Sequence, residues 1–360
     1  MAFDGFFIRK LVGEIEENIL GAHINKINNI STDEFILTIR KRKNFKLLLS
    51  ASSSSSRFQL TKNIYENPNT PSNFCTVLRK YLIGGIIQNI EQINNDRIIV
   101  FKIKNFDELG YEKYYYLITE LMGKHSNIIL TDDNKVIIES LKNSYSIDYK
   151  RSTIANMNYV LPPTESKFNP FDFDSYKNLE FDYSDKRFLM KNFYGVSALL
   201  NNYFIARRTE FEEEFKSFCC NLETYYSPIL LERNGKKDFY FFDVDTGENN
   251  IKFASLCDLL DFYYLDIAKS NINKSTDKRL FDFIKTKLNR LSKKLEILNK
   301  ELIEAESKED YKLKGQLLIS NIYMFKKSVP EVATLPNFYS EELEYIKIEL
   351  DPNLTIEKNS

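Results

Sequence analysis

Ile93-Asn94-Asn95-Asp96-Arg97-Ile98-Ile99, followed by Glu120-Leu121-Met122-Gly123-Lys124-His125-Ser126-Asn127-Ile128-Ile129-Leu130, decides how this chain folds. Ile86 to Ile93 runs into Asn94-Asn95, and Arg97 to Lys104 runs out. β-branched residues around an Asn pair, with partial alternation of period two, form a hairpin signal, because Asn tolerates the positive φ that a tight turn needs. Leu117 to Met122 and Asn127 to Thr131 repeat the arrangement around Gly123-Lys124-His125-Ser126. Charge and hydrogen-bonding groups therefore gather at two turns between strands that read as core. On residue types alone Asp96 completes a turn and Arg97 is a solvated strand end, the ordinary use of polar turn residues.

Working outward, residues 1–168 read as a mixed α+β domain. A helix over Gly5 to Leu20 feeds strands near Ala22–Ile30, Glu34–Arg40 and Phe45–Ala51. Ser52 to Ser56 is a low-complexity turn. Asn73 to Leu82 reads as a helix stopped by Gly84-Gly85. A helical unit is expected over 172–267, with Ser184-Asp185 capping a helix into Phe188-Leu189. There Gly195-Val196-Ser197 resembles the turn of a helix–turn–helix element. Acidic residues Glu210, Glu212, Glu213 and Glu214 make that region, taken whole, a poor phosphate surface. Asp238 to Asp243 alternates like a strand before a turn at Asp245-Thr246-Gly247.

Over 277–313 the pattern changes again. Ile284, Leu288, Leu291, Leu295, Leu298, Leu302 and Ala305 alternate spacings of four and three, with Lys, Glu and Asn beside them. A helix packed on a globular core shows a broader stripe, so this narrow seam predicts one coiled-coil arm. Such an arm is expected to pair with a second copy or to fold back on its own body. Residues 314–360 then read as a small tip, a shorter helix followed by the strand Tyr345–Leu350.

The 360 residues exceed one domain, and 43% apolar content is ample for packed cores. A net charge of −1 excludes nonspecific blanketing of nucleic acid, so any positive surface is local. Arg40-Lys41-Arg42-Lys43 with Lys46 is the densest basic run, equally a solvated hairpin tip or a phosphate contact. Glu14, Glu16 and Glu17 interrupt any secretory signal, and no apolar run is long enough to span a membrane. Cys75, Cys219, Cys220 and Cys257 lack metal-ligand spacing and form no disulfide framework, so a cytoplasmic location is expected. Phosphate loops, paired Cys-x-x-Cys, His-x-x-x-His and a nucleophile elbow are all missing, and the two histidines, His23 and His125, are far apart in sequence. No enzyme, cofactor or metal site is expected.

An ordered series of short stretches runs the length of the chain. It comprises Phe3-Asp4-Gly5, Gly21 to Ile27, Leu47 to Ala51, Tyr65 to Pro68, Phe74-Cys75 with Leu78-Arg79-Lys80, Asp96-Arg97, Met122 to Asn127, Leu161-Pro162-Pro163, Gly315 to Leu318 and Leu350-Asp351-Pro352. By these the chain resembles the amino-terminal half of the NFACT family, the RqcH-like and NEMF-like proteins whose older bacterial label is fibronectin-binding protein A. The resemblance implies an amino-terminal domain similar in fold to formamidopyrimidine DNA glycosylase N-domains. Those enzymes use an amino-terminal proline and a glutamate; Ala2 and Phe3 stand here, so the fold is implied without the chemistry.

The resemblance also implies a factor that binds a large ribosomal subunit obstructed by peptidyl-tRNA, holds an alanine-charged tRNA and supports untemplated alanine tailing. The family's Asp-Arg pair, linked to tRNA recognition, falls on Asp96 and Arg97. Glu120, Gly123, Lys124 and His125 are the accompanying tRNA-binding candidates, Glu120 as an acceptor and Gly123 as a point of close backbone approach. Departures are Ser52 where the family carries a His, Tyr81 for another, Lys124 for Arg and His23 for Arg. Family members continue along a second arm into a further domain; this chain has neither and reads as a fragment. The alternative implied by the older label is a surface adhesin for fibronectin, and a third is a relic glycosylase.

Overall fold

The computed structural model describes the chain except residues 1, 2, 67, 69, 145–150, 164, 165, 207–210, 234, 235, 245–249, 326, 327 and 341–343. Side chains of residues 233, 236, 266–282, 306 and 307 are also outside the described set. Ala2 and the expected turn at Asp245-Thr246-Gly247 therefore lie outside the described residues. Two compact units are present, residues 1–269 and 270–360.

The first unit opens with α1 (Gly5–Ile19), whose stripe of Phe6, Phe7, Leu11, Ile15 and Ile19 is buried. Asp4 caps it, accepting from the Phe7 amide at 2.9 Å. Then come β1 (His23–Asn29), β2 (Glu34–Arg40), β3 (Asn44–Ser50), β4 (Arg57–Leu60), α2 (Asn73–Leu82), β5 (Ile86–Gln92), β6 (Ile98–Phe106), β7 (Glu112–Glu120), β8 (Asn127–Thr131) and β9 (Ile137–Ser140). The nine strands make one sheet in the order β4-β3-β2-β1-β5-β6-β7-β8-β9. β1 meets β5 at a single register pair, His23 with Ile86. The sheet curls until Lys142, beyond β9, donates to the Ala51 carbonyl beyond β3 at 2.6 Å. Alternation then sends Leu37, Leu47, Leu49, Ile99, Phe101, Leu117 and Leu130 into one core with α1.

The same core takes in α3 (Phe188–Asn192), α4 (Ala198–Ile205), α5 (Phe211–Cys220) and a small sheet of β10 (Ile229–Arg233), β11 (Lys236–Tyr240) and β12 (Ile251–Lys252). Aromatic rings join them: Phe6 lies 5.5 Å from Phe171 and Phe218, and Phe7 lies 5.1 Å from Phe239. Two local expectations change. Arg187, without a side-chain cap, starts α3, because Ser184 and Asp185 close preceding turns instead. The strand expected from Asp238 is shifted, ending at Tyr240.

Both edges of the large sheet are covered. Along β4, Leu60 donates its amide to Cys257 Sγ, and Gln59 and the Lys62 amide bond Asp261 at 2.6 and 2.9 Å. These partners sit on the first turns of α6 (Leu256–Ser320), whose orphan amides at Leu256 and Cys257 are taken by the Glu14 carboxylate. Along β9, the Ile137 amide donates to Met157 and the Asn156 amide to Ile137.

In the second unit α6 runs on to Ser320, so the separate helix expected after Lys314 is its continuation. A hairpin of β13 (Val332–Pro336) and β14 (Tyr345–Glu349) and α7 (Ile356–Asn359) follow. Leu317, Leu318, Leu335, Ile348 and Ile356 form a small core there. The expected seam stands in solvent: Leu288, Leu291, Leu295, Leu298 and Leu302 are each more than half exposed.

Candidate nucleic-acid interface

The turn between β5 and β6 is built as its Asn pair requires. Asn94 and Asn95 take φ of 51° and 57°, and the Asp96 amide closes onto the Ile93 carbonyl at 2.8 Å. Gln92 braces it from below, donating to the carbonyls of Gly5 and Asp96 at 2.8 and 2.9 Å. One Asp96 oxygen accepts from the Arg97 amide at 2.7 Å and lies 4.0 Å from Arg97 Nε. The Asp96 side chain is 14% exposed and that of Arg97 37%. An anchored carboxylate beside a half-exposed guanidinium offers an acceptor and a fork of donors at one point.

The turn between β7 and β8 lies alongside, because the Leu121 amide donates to the Arg97 carbonyl at 2.9 Å. Gly123, at φ +59°, begins the single 3₁₀ turn Gly123–His125, on which Lys124 and His125 are exposed. The two turns thus follow neighbouring strands of the sheet, joined through Leu121 and Arg97. Gly123, a Cβ on which would face the Ser53 carbonyl, starts the separate exposed turn of Lys124 and His125.

Glu120 is placed differently. Its register opposite Ile98 turns it to the outer sheet face, where Tyr159 covers Ile98, Ile118, Ile129 and Ile137. It is 1% exposed, ion-paired to Arg151, and accepts from the Tyr159 hydroxyl at 2.8 Å. Burial raises its carboxyl above the usual range despite Arg151. An RNA base cannot reach it, and its expected role as a base acceptor gives way to a structural one. The basic run Arg40 to Lys43 is the exposed tip of the β2–β3 hairpin.

Three residues that the sequence marked only as turn or motif positions, and not as site residues, hold the site. Gly5 donates its amide to the Gly195 carbonyl at 3.0 Å, with Asn95 packed against both. A Cβ on Gly5 would lie 1.9 Å from the Asn95 carbonyl oxygen, and one on Gly195 2.2 Å from it. The Gly195 turn between α3 and α4, read as part of a helix–turn–helix, therefore packs its backbone onto the start of α1. Asp4 followed directly by Gly5 was the available signal, since a glycine in a first helical turn sacrifices propensity for close approach. Beside this junction opens a cavity of about 420 Å³, lined by Asp4, Asp96, Arg97, Lys167, Met190 and Tyr194 among others.

Asp4 is buried. It accepts from the Tyr240 hydroxyl at 2.9 Å, and burial pushes its carboxyl up to about 6 from 3.8, against the lowering effect of its hydrogen bonds to Ser197, Phe7 and Tyr240. The folded chain then holds a proton that the unfolded chain has released. This contribution is fully present below pH 3.8 and is lost as pH rises to 6, a change of about 3 kcal/mol. Asp4→Asn keeps an oxygen for the Phe7 amide and removes the titration. Urea melts at pH 4.5 and 7 should show the wild type losing about 2 kcal/mol more than the variant over that interval.

Comparison with known proteins follows the same lines. The family described as NFACT N-terminal and middle domains matches residues 4–360. The chain is 36% identical to the Rqc2 homolog RqcH of Bacillus subtilis, over 100% of its own length and 65% of the relative's. It is 25% identical over 143 residues to ribosome quality control complex subunit 2 of Schizosaccharomyces pombe, covering 39% of this chain and 13% of that one. The solved N-terminal part of the fibronectin/fibrinogen-binding protein from Streptococcus suis aligns with a TM-score of 0.67 at 34% identity, over 73% of this chain and 99% of that one. The chain spans 65% of the length of the bacterial relative it matches, and it belongs to the NFACT family, with residues 4–360 forming the amino-terminal and middle domains.

Proposed function

We propose that the paired turns at Asp96–Arg97 and Gly123–His125 bind transfer RNA, and that the chain serves ribosome quality control on the large ribosomal subunit by supporting untemplated alanine addition. The observation that carries this reading is the juxtaposition itself: an anchored carboxylate, a half-exposed guanidinium and an exposed Lys-His turn on adjoining backbones, in a chain whose relatives are named for that process. A large subunit alone presents no codon, so the factor must inspect the tRNA directly. Asp96 can accept from base amino groups, and Arg97 can fork onto a purine edge or stack on an unstacked base. The action is one of binding and positioning, in the cytoplasm, with no cofactor. Among the described residues no helix is long and apolar enough to cross a membrane. The names of the curated sequence relatives favour this reading over adhesion to fibronectin, for which the similar solved structure from Streptococcus suis is named.

The test is the Asp96→Ala, Arg97→Ala pair. Loss of a bidentate base contact costs about 1–3 kcal/mol, so selective tRNA affinity should fall roughly 5- to 150-fold with the melting temperature held. An unchanged tRNA profile in crosslinking and sequencing would reject the assignment.

The exposed seam of α6 supports a second, independent reading, self-association of this chain through residues 284–305. Leucines left in water at this spacing favour a helical partner. Leu291→Lys with Leu298→Lys should convert a dimer to a monomer in sedimentation and leave tRNA binding intact. A wild type that stays monomeric at high concentration rejects pairing.

A further inference from the structure

The β2–β3 hairpin concentrates positive charge that the tRNA turns do not use. Between Glu34 and Glu66 the chain carries no carboxylate, while Arg40, Lys41, Arg42, Lys43, Lys46, Arg57 and Lys62 all fall there. Strand register gathers most of this excess on one surface. Leu37, Ile39 and Leu47 point into the core, so alternation sends Thr38, Arg40 and Lys46 to the outer face. Lys26 and Lys46 stand on either side of Thr38, and His23 and Asn44 on either side of Arg40. Lys41, Arg42 and Lys43 continue the stripe at the turn, all exposed.

The stripe is held in place but not neutralised. All seven residue pairs of the β2–β3 ladder form, and the Lys41 amide closes the turn on the Lys43 carbonyl at 3.2 Å. Lys43 Nζ lies 4.9 Å from the Phe45 ring centre, and Lys46 donates to the Asn63 carbonyl at 3.3 Å. Among the described residues no carboxylate pairs with Lys26, Arg40, Lys41, Arg42, Lys43 or Lys46. Acids on adjoining elements are engaged elsewhere: Glu34 by Arg57 at 3.1 Å, Asp258 by Lys62 at 2.5 Å and Glu112 by Lys104 at 2.5 Å. Asp261, bonded by Gln59 and the Lys62 amide, is one charge against the six of the stripe.

This chemistry selects phosphate. Arg40 to Asn44 offers donors throughout, no negative charge and no exposed apolar anchor of the kind that centres a protein interface. A sugar–phosphate backbone asks only for cations and donors spaced along a ridge. The ridge also lies apart from the tRNA turns. Ser53, whose carbonyl a Cβ on Gly123 would face, follows the end of β3, and the basic tip is at the strand's opposite end, roughly 20 Å away.

We propose that the outer-face stripe of Lys26, Arg40 and Lys46, with the tip Lys41–Lys43, is a second RNA contact that grips the sugar–phosphate backbone without reading sequence. This rests on the RNA-binding reading above: the stripe supplies affinity, and the turns at Asp96 and Gly123 supply selection.

Lys41→Gln, Arg42→Gln and Lys43→Gln are combined in one variant, with Lys41→Arg plus Lys43→Arg as the charge-keeping control, and thermal melting verifies that both fold. Binding to purified tRNA and to purified large ribosomal subunits is measured from about 50 to 200 mM salt. The neutral variant should lose at least tenfold in affinity. Its plot of log affinity against log salt should flatten by about 2–3, three lost phosphate contacts at about 0.7–0.9 each. The control should match the wild type, and preference among tRNAs should survive, unlike in Asp96→Ala with Arg97→Ala. Flattening with tRNA assigns the contact to the tRNA backbone; flattening with subunits alone assigns it to ribosomal RNA. Unchanged slopes on both arms, or a photocrosslinking residue at position 44 that labels only protein, overturn the proposal while the tRNA reading stands. A wild-type chain that binds neither RNA overturns both.

Discussion

Gly195→Ala should destabilise the first unit by about 2–5 kcal/mol, seen as a lowered urea midpoint. Two costs combine. At φ +72° an alanine carries the strain of the left-handed region, about 1–2 kcal/mol. Its Cβ would also sit 2.2 Å from the Asn95 carbonyl oxygen, 2.6 Å from Asn95 Nδ2 and 2.8 Å from the Gly5 Cα. None of these is the end of a long flexible chain, so relief requires the α1 terminus or the Asn94-Asn95 turn to move, at about 1–3 kcal/mol. Because that turn carries Asp96 and Arg97, tRNA affinity should fall even where the variant remains folded. Gly13 supplies the contrast. It lies in the middle of α1 with nothing within 4 Å of a new Cβ, so Gly13→Ala should stabilise by about 0.5–1 kcal/mol. Equal effects of the two substitutions would show that the three-backbone junction does not exist.

Glu120→Ala should cost about 3–5 kcal/mol, toward the lower figure because Arg151 keeps 18% exposure. The loss is not that of a surface ion pair. Removing the carboxylate leaves a guanidinium and the Tyr159 hydroxyl beside Ile98, Ile118 and Ile129 without the acceptor they share. Glu120→Gln, which retains an oxygen, should be milder. If the alanine variant keeps full stability but loses tRNA binding, Glu120 contacts RNA after all and its buried placement is wrong.

How far the sequence could be read depended on where each signal resides. The Asn94-Asn95 turn was legible because the conformation is demanded by two adjacent residues, and α1 because its stripe is continuous. β4 was not: its four residues include Arg57 and Gln59, polar positions that meet Tyr264 and Asp261, some two hundred positions later. Glu120 was assigned to the turn because strand alternation tells which face a residue occupies and not whether that face is covered. The cover, Arg151 and Tyr159, comes from an irregular segment with no period to detect. Asp96 and Arg97 were legible as turn residues, but the Gly5–Gly195 contact that fixes their turn joins residues remote in sequence.

The occupied edges of the large sheet carry a consequence of their own. A strand with open amides and carbonyls invites any extended peptide to join the ladder, and is the usual start of sheet-to-sheet aggregation. Here β4 is closed by side chains from α6 and β9 by the backbone of residues 156 and 157. Among the described residues, partners of the large sheet are therefore recruited through turns and side chains rather than by strand addition at β4 or β9. Substitutions in the turns can then retune recognition while the strand ladder, sealed at both margins, keeps its order and solubility.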